Sequence, residues 1–194
     1  GTAGFYFAAS TGNAEFTGNG STDPFRINRL ASDGILINFY QATSSEGNIS
    51  VSGSTVSYNG FAGRHESSGI ATTTAKGTVV STIDELDEYL SGPKQGQTRA
   101  DHAKVKVSDT VGDARVYGVV DDFTDEGKLN AISVGIGSIK VTGACAGGDL
   151  LESNGDGTAK VQNDDIIRSK TIGKVTIGNS NTGVKLVSCV LYCG

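Results

Sequence analysis

The chain has 194 residues, 16 Lys+Arg against 21 Asp+Glu for a net charge of −5, 28 Gly, 2 Pro and neither Met nor Trp. That length suffices for one large or two small domains with a real core; glycine at about twice the roughly 7% usual in proteins, with little proline and an ordinary charged fraction, excludes collagen and argues against disorder. With no basic run and no stretch of 18 apolar residues, neither nucleic-acid binding nor membrane insertion is expected.

The first segment, Gly1 to about Thr17, carries Phe5, Tyr6, Phe7 and Phe16 among small polar residues, a pattern of short strands and tight turns too thin to fold alone. From Pro24 to Phe61 alternation is clean in Ile35-Leu36-Ile37-Asn38-Phe39 and in Ile49-Ser50-Val51, Val56 and Tyr58 continue it, and Asp33-Gly34 reads as a turn. Each of these strands has one apolar face and little else to cover it. Copies wound around a common axis could cover one another's faces, so a homotrimer is expected on physical grounds.

Thr82 to Leu90 gives the single helical signal. Thr82 and Glu85 stand at capping-box spacing, acids fill the first turn, Ile83, Leu86 and Leu90 share a helical face, and Gly92-Pro93 would stop it. Strands are then expected at Val105–Val107, Arg115–Val120, Leu129–Ile136, Ile139–Val141, Asp149–Leu151, Ile172–Ile177 and Val184–Tyr192, separated by turns at Asp125-Glu126-Gly127, Asn154-Gly155-Asp156-Gly157 and Asn179–Gly183. Gly135-Ile136-Gly137 and Gly143–Gly148 lack the strand-turn-helix context of a phosphate cradle and read as turn glycines.

Cys145, Cys189 and Cys193 form no CxxC pair and have no His companions at zinc-ligand spacing. Cys189 and Cys193 alternate with Val187 and Leu191 along one strand face, which suits reduced thiols packing as small apolar groups. Asn154–Gly157 lacks the alternating oxygens of a calcium loop, and Asp164-Asp165 reads as a turn before a strand. No metal and no cofactor is expected. The absence of Met points to a chain that begins within a longer protein or is processed, with removal of an initiator Met as the alternative.

Three ordered blocks carry a resemblance. The first runs from Phe25-Arg26-Ile27 through Ser32-Asp33-Gly34, Phe39-Tyr40 and Gly47-Asn48-Ile49-Ser50-Val51 to Val56-Ser57-Tyr58-Asn59-Gly60-Phe61. The second comprises Gly77-Thr78-Val79-Val80, Lys104 to Thr110, and Arg115 to Val120. The third comprises Ala146 to Ala159, Asp164 to Ser169, Ile172 to Val175, and the ending Cys189-Val190-Leu191-Tyr192-Cys193-Gly194. Together, over roughly residues 25 to 194, they resemble the C-terminal region of phage tail-fibre and tailspike proteins, with the self-cleaving, glutamic-peptidase-type chaperone domain of neck-appendage and tail-fibre proteins.

The resemblance implies a homotrimer whose terminal domain registers three chains and, in some members, is cut off by its own carboxylates. Glu66, in Gly63-Arg64-His65-Glu66-Ser67-Ser68, takes the place of the family's Glu, with His65 beside it. The family's Asp, a few residues earlier, has no counterpart around Gly63. Neighbouring residues on a strand point to opposite faces, so His65, Glu66 and Ser67 do not converge by themselves, and a partner for Glu66 would come from Asp101, His102 or Asp109. The plainer reading makes Arg64-His65-Glu66 a polar linker between shaft and terminal domain that forms salt bridges across subunits.

The expected architecture is mainly β: short intertwined N-terminal strands over residues 1–62, then a compact sandwich- or barrel-like β domain over 63–194 with one short helix. The expected role is that of a virion structural protein in the phage tail, assembled in the bacterial cytoplasm and acting in trimer assembly and registration with other tail proteins. The alternatives are a capsid decoration or head-fibre protein, a tip that binds a host-surface glycan or receptor, and a single-turnover autoprotease.

Overall fold

The structure is a computed structural model that describes residues 25–41, 43–59 and 62–193. The strands expected between Gly1 and Thr17 lie outside the described residues. The chain divides into two compact units, Gly1–Gly60 and Phe61–Gly194.

In the first unit, β1 (Gly34–Gln41), β2 (Ser44–Ser52) and β3 (Thr55–Asn59) form an antiparallel meander. Its register follows the alternation in the sequence: Ile37 stands opposite Ile49, Ile49 opposite Tyr58, and Val51 opposite Val56. Asn38, Asn48 and Asn59 line up on the other face, with Ser50 beside Ser57. Asp33-Gly34 does not make the expected turn. The chain reverses at Gly53 (φ +55°), and Asp33 instead closes that reversal by accepting the Gly53 N–H at 2.9 Å and the Ser52 hydroxyl at 3.1 Å.

The second unit contains β4 (Ala62–Ser67), β5 (Val79–Glu88), β6 (Thr98–Val107), β7 (Val116–Phe123), β8 (Leu129–Val141), β9 (Leu150–Ser153), β10 (Ala159–Val161), β11 (Gly173–Val175) and β12 (Lys185–Tyr192). Its long strand β8 organises the rest. The C-terminal half pairs with β12, and the order β12-β11-β9-β10 returns to β8 through a parallel bridge between Ala159 and Val141, closing a five-stranded barrel. The N-terminal half of β8 pairs with β4 on one side and β7 on the other, and β7 continues through β5 to β6. The Val105 N–H donates to Ser68 O at 2.8 Å, which links β6 back to the end of β4.

Two apolar cores follow from this path. Ile139, Val141, Leu151, Ala159, Ile172, Val175, Val187, Cys189 and Leu191 fill the closed barrel, and Val79, Val119, Ile132 and Cys145 extend that core. Val80, Val105, Val120, Leu129 and Ala131 form the other, with Ile70, Tyr117 and Phe123 packed against them. Each fully buried Leu or Ile contributes roughly 2 kcal/mol, so these clusters are the main source of the unit's stability.

The helix expected over Thr82–Leu90 does not form: residues 82–88 belong to strand β5, Tyr89 and Leu90 follow it, and the described residues hold only a one-turn 3-10 helix at Gly92–Lys94. Val79 and Val80 are fully buried and β-branched, and they feed directly into pairing with β6 and β7; that pairing overrides the local capping-box signal. The spacing of Ile83, Leu86 and Leu90 reflects irregular register instead: Thr82 pairs with Val105 but Leu86 already with Ala103. Gly135-Ile136-Gly137 is likewise strand interior, not a turn. A Cβ at Gly137 would come within 2.7 Å of Leu191 Cδ1, so a side chain there would require the buried Leu191 to shift.

The three cysteines are free thiols, and Cys189 shares the inward face of β12 with Val187 and Leu191. Burial, reinforced by Cys145, pushes the Cys189 thiol up to about 12, and burial also pushes Cys193 up to about 12. Thiols raised this far stay protonated at pH 8, and the thiolate is the reactive form. Native protein is therefore expected to show no fast reaction of Cys189 or Cys193 with a thiol-disulfide reagent, all three cysteines reacting once urea is added; rapid labelling of either residue in the native state would contradict the packing described.

Candidate functional site

Strand β4 carries the residues that the resemblance singles out, and its alternation separates them. Ser67 is buried and donates to Ala103 O at 2.7 Å, so its hydroxyl is committed to the β4–β6 seam and is not an open nucleophile. Glu66 lines a cleft of about 460 Å³ with Tyr89, Leu90, Arg99, Glu126 and Lys128. His65 lines a different cleft with Asp101, Arg115 and Tyr117, its ring 6.1 Å from that of Tyr117. Arg64 pairs with the buried carboxylate of Asp121 and reaches Asp122 at 3.6 Å, which ties β4 to β7 within one chain.

Glu66 is held by Arg99, whose Nη1 donates to Glu66 Oε2 at 2.8 Å. The same guanidinium reaches Asp87 Oδ2 at 3.4 Å, contacts His102 Nε2 through Nη2 at 2.8 Å, and sits 5.3 Å from the centre of the Tyr89 ring. His102 Nδ1 in turn lies 2.8 Å from Asp101 Oδ1. Two of the three partners considered for Glu66, Asp101 and His102, thus reach it through Arg99. Asp109 does not: Lys106 takes both of its oxygens, at 2.7 and 2.8 Å.

Behind this surface array lies a buried pair for which no local sequence signal exists. Lys128 Nζ donates to both oxygens of Asp87 at 2.6 Å and to Glu88 O at 2.7 Å, and Ser68 Oγ donates to Asp87 Oδ1 at 2.6 Å. The Lys128 and Asp87 side chains are 5% and 2% exposed, so water does little to screen them. Burial opposes ionisation of Asp87, but the hydrogen bonds from Lys128, Ser68 and the Glu88 backbone outweigh it and hold the carboxyl below its ordinary value.

Chemically, the array is a clamp. Glu66 belongs to β4, Asp87 to β5, Arg99 and His102 to β6, and Lys128 immediately precedes β8, so one charged network joins four strands. Glu66 accepts through Oε2 from a guanidinium that is itself only 13% exposed, while its own side chain stays 42% exposed. Among the described residues no group of three His, Cys, Asp or Glu side chains is placed to hold a metal ion. Elsewhere, the Asn154–Gly157 segment is a turn in which Asp156 accepts from the Thr158 N–H and hydroxyl, and Asp164 accepts from the Ile166 N–H and Gln162. No protein-family model matches the chain, and no curated protein matches it.

Proposed function

We propose that the chain is a structural and assembly module of a phage tail fibre or tailspike, which associates as a homotrimer through its first unit and carries the second as a registering domain. The observation that carries this reading is the apolar face of the β1–β2–β3 sheet. Ile37, Phe39, Ile49, Val51, Val56 and Tyr58 share it, none of them is buried, and Phe39, Val56 and Tyr58 remain 52%, 53% and 68% exposed. A three-stranded sheet needs something packed on its apolar face to be stable in water. The opposite face is already satisfied: Asn59 donates to Asn48 Oδ1 at 2.7 Å and to Ser50 Oγ at 2.9 Å, and Ser45 donates to Asn38 Oδ1 at 2.8 Å.

The tail assignment comes from the ordered resemblance, which also implies a trimer; the open face supports association of copies. Free thiols, with Cys145 and Cys189 buried, fit assembly in a reducing cytoplasm. Self-cleavage is not part of this reading, which rests on the apolar face and not on Glu66. Light scattering on the purified chain is expected to give three times its 19.9 kDa mass. A stable 19.9 kDa species at micromolar concentration would overturn association, and a species of twice that mass would replace the trimer with two sheets packed face to face.

A further inference from the structure

Strands β8 and β12 share an outward face. Along β12 the side chains of Val187, Cys189 and Leu191 are buried in the barrel, so those of Leu186, Ser188, Val190 and Tyr192 point outward. Pairing sets Tyr192 opposite Val134 and Val190 opposite Ile136, and the next outward pair is Ser138 with Ser188. Four apolar side chains thus form a patch. Val134 and Ile136 are 45% and 60% exposed, Val190 and Tyr192 are half-buried, and none of the four is an acid or a base with a charge at neutral pH. The solvent face of an antiparallel pair is ordinarily polar, as it is at Ser138 and Ser188. On the other edge of β8, Gly63 stands opposite Val134 and Ala62 opposite Gly135. Strand β4 is also where the chain enters the second unit: β3 ends at Asn59 and β4 begins at Ala62, a span of at most about 11 Å. The patch therefore lies beside the tether to the first unit.

We infer that the patch of Val134, Ile136, Val190 and Tyr192 is a contact between the second units of associated copies. The contact rests on the association through the first unit proposed above. Copies joined there hold their Ala62 residues on short tethers to one assembly, and each Ala62 has a patch beside it. Four side chains fall well short of the roughly 800 Å² per partner of a stable interface, so the patch does not hold free copies together. Tethering changes the balance, because partners on short connections meet at an effective concentration in the millimolar range. Identical uncharged surfaces also meet without the like-charge repulsion that excludes wrong partners. The patch acts second, then: it sets the second units against one another once the first units have joined, and it removes from water the apolar side chains that a lone copy leaves exposed.

In sedimentation of the full chain, Ile136→Asp is expected to raise the concentration below which the assembled mass is lost by about tenfold, through a carboxylate placed in a small apolar contact. The control is Val184→Asp, which replaces a side chain that is 58% exposed and lies six residues before Val190, roughly 20 Å along the strand direction; it should dissociate as the wild type does. Hydroxyl-radical labelling reads the same contact without a substitution. In the wild type, Ile136 and Tyr192 should be labelled several-fold more slowly in the assembled protein than after dilution to single chains, and Val184 at the same rate in both. Assembled wild type that Ile136→Asp does not weaken, or whose Ile136 and Tyr192 are labelled equally in both states, overturns the inference and leaves association through the first unit standing. Equal weakening by Val184→Asp also overturns it, since added charge would then be the cause. A wild type that stays at 19.9 kDa overturns both the patch contact and the association on which it rests.

Discussion

Lys128→Met is expected to destabilise the second unit by about 3–5 kcal/mol, the usual cost of removing one partner from a buried ion pair. Methionine keeps most of the volume, so the loss measures charge and not a cavity. Without Nζ, Asp87 retains Ser68 at 2.6 Å, the Glu88 backbone and a long contact to Arg99 at 3.4 Å, but a carboxylate that is 2% exposed loses the buried counter-charge that met both of its oxygens. Urea unfolding followed by circular dichroism checks the value. Removing both charges, in Asp87→Leu with Lys128→Met, should recover much of the loss and give a coupling of a few kcal/mol in the double-mutant cycle; additive losses would mean that the two side chains do not interact as described. Asp87 has a depressed value in the folded state, so its contribution is present above its unfolded value and disappears only as pH falls through the lower folded one. A loss of stability that begins above the carboxylate range cannot come from Asp87.

The parts of this fold that sequence made legible are those decided by neighbours along the chain. Alternation in Ile35–Phe39 and Ile49–Val51 marks β1 and β2, Asp125-Glu126-Gly127 marks the β7–β8 turn through Gly127 (φ +81°), and the Cys189 face of β12 follows from period two. What escaped was decided at a distance. Strand β4 looks like a polar linker because Arg64, His65 and Glu66 are hydrophilic, yet Arg64 ends on Asp121 and Glu66 on a guanidinium 33 residues away. Asp87 looks like one more acid in the first turns of a helix until Lys128, 41 residues later, is placed against it. A capping-box spacing and a few acids favour a helix by tenths of a kcal/mol to about 1 kcal/mol each. The burial of Val79 and Val80 and the pairing of β5 on both edges outweigh that, and none of it is visible within a nine-residue window. Gly137 teaches the same point in reverse, since a glycine that suggests a turn by composition lies inside β8, with the Leu191 side chain packed over it.

Ile49→Asp is expected to abolish association of the chain while leaving the second unit folded. Ile49 lies on the middle strand of the sheet, opposite Ile37 on one side and Tyr58 on the other, so any copy that covers this face must enclose it. A carboxylate there brings one buried, unpaired charge per copy to a common interface, at several kcal/mol each even after relaxation, and like charges add their repulsion. A loss of that size exceeds the margin of most assemblies of small modules, because the free energy of association is the surplus left after large opposing costs. The control is Ser57→Asp, which puts the same charge on the polar face beside Ser50 and should leave the assembled mass unchanged. Sedimentation of the three proteins at equal concentration gives the comparison. If Ile49→Asp still sediments as the wild type does, the open face of the first unit is not where copies meet; if Ser57→Asp dissociates as well, net charge and not the apolar face controls assembly. The cores around Leu151 and Leu129 are complete within one chain, so the second unit of Ile49→Asp should keep its cooperative unfolding transition, and loss of that transition would show that the variant had damaged folding instead of contact.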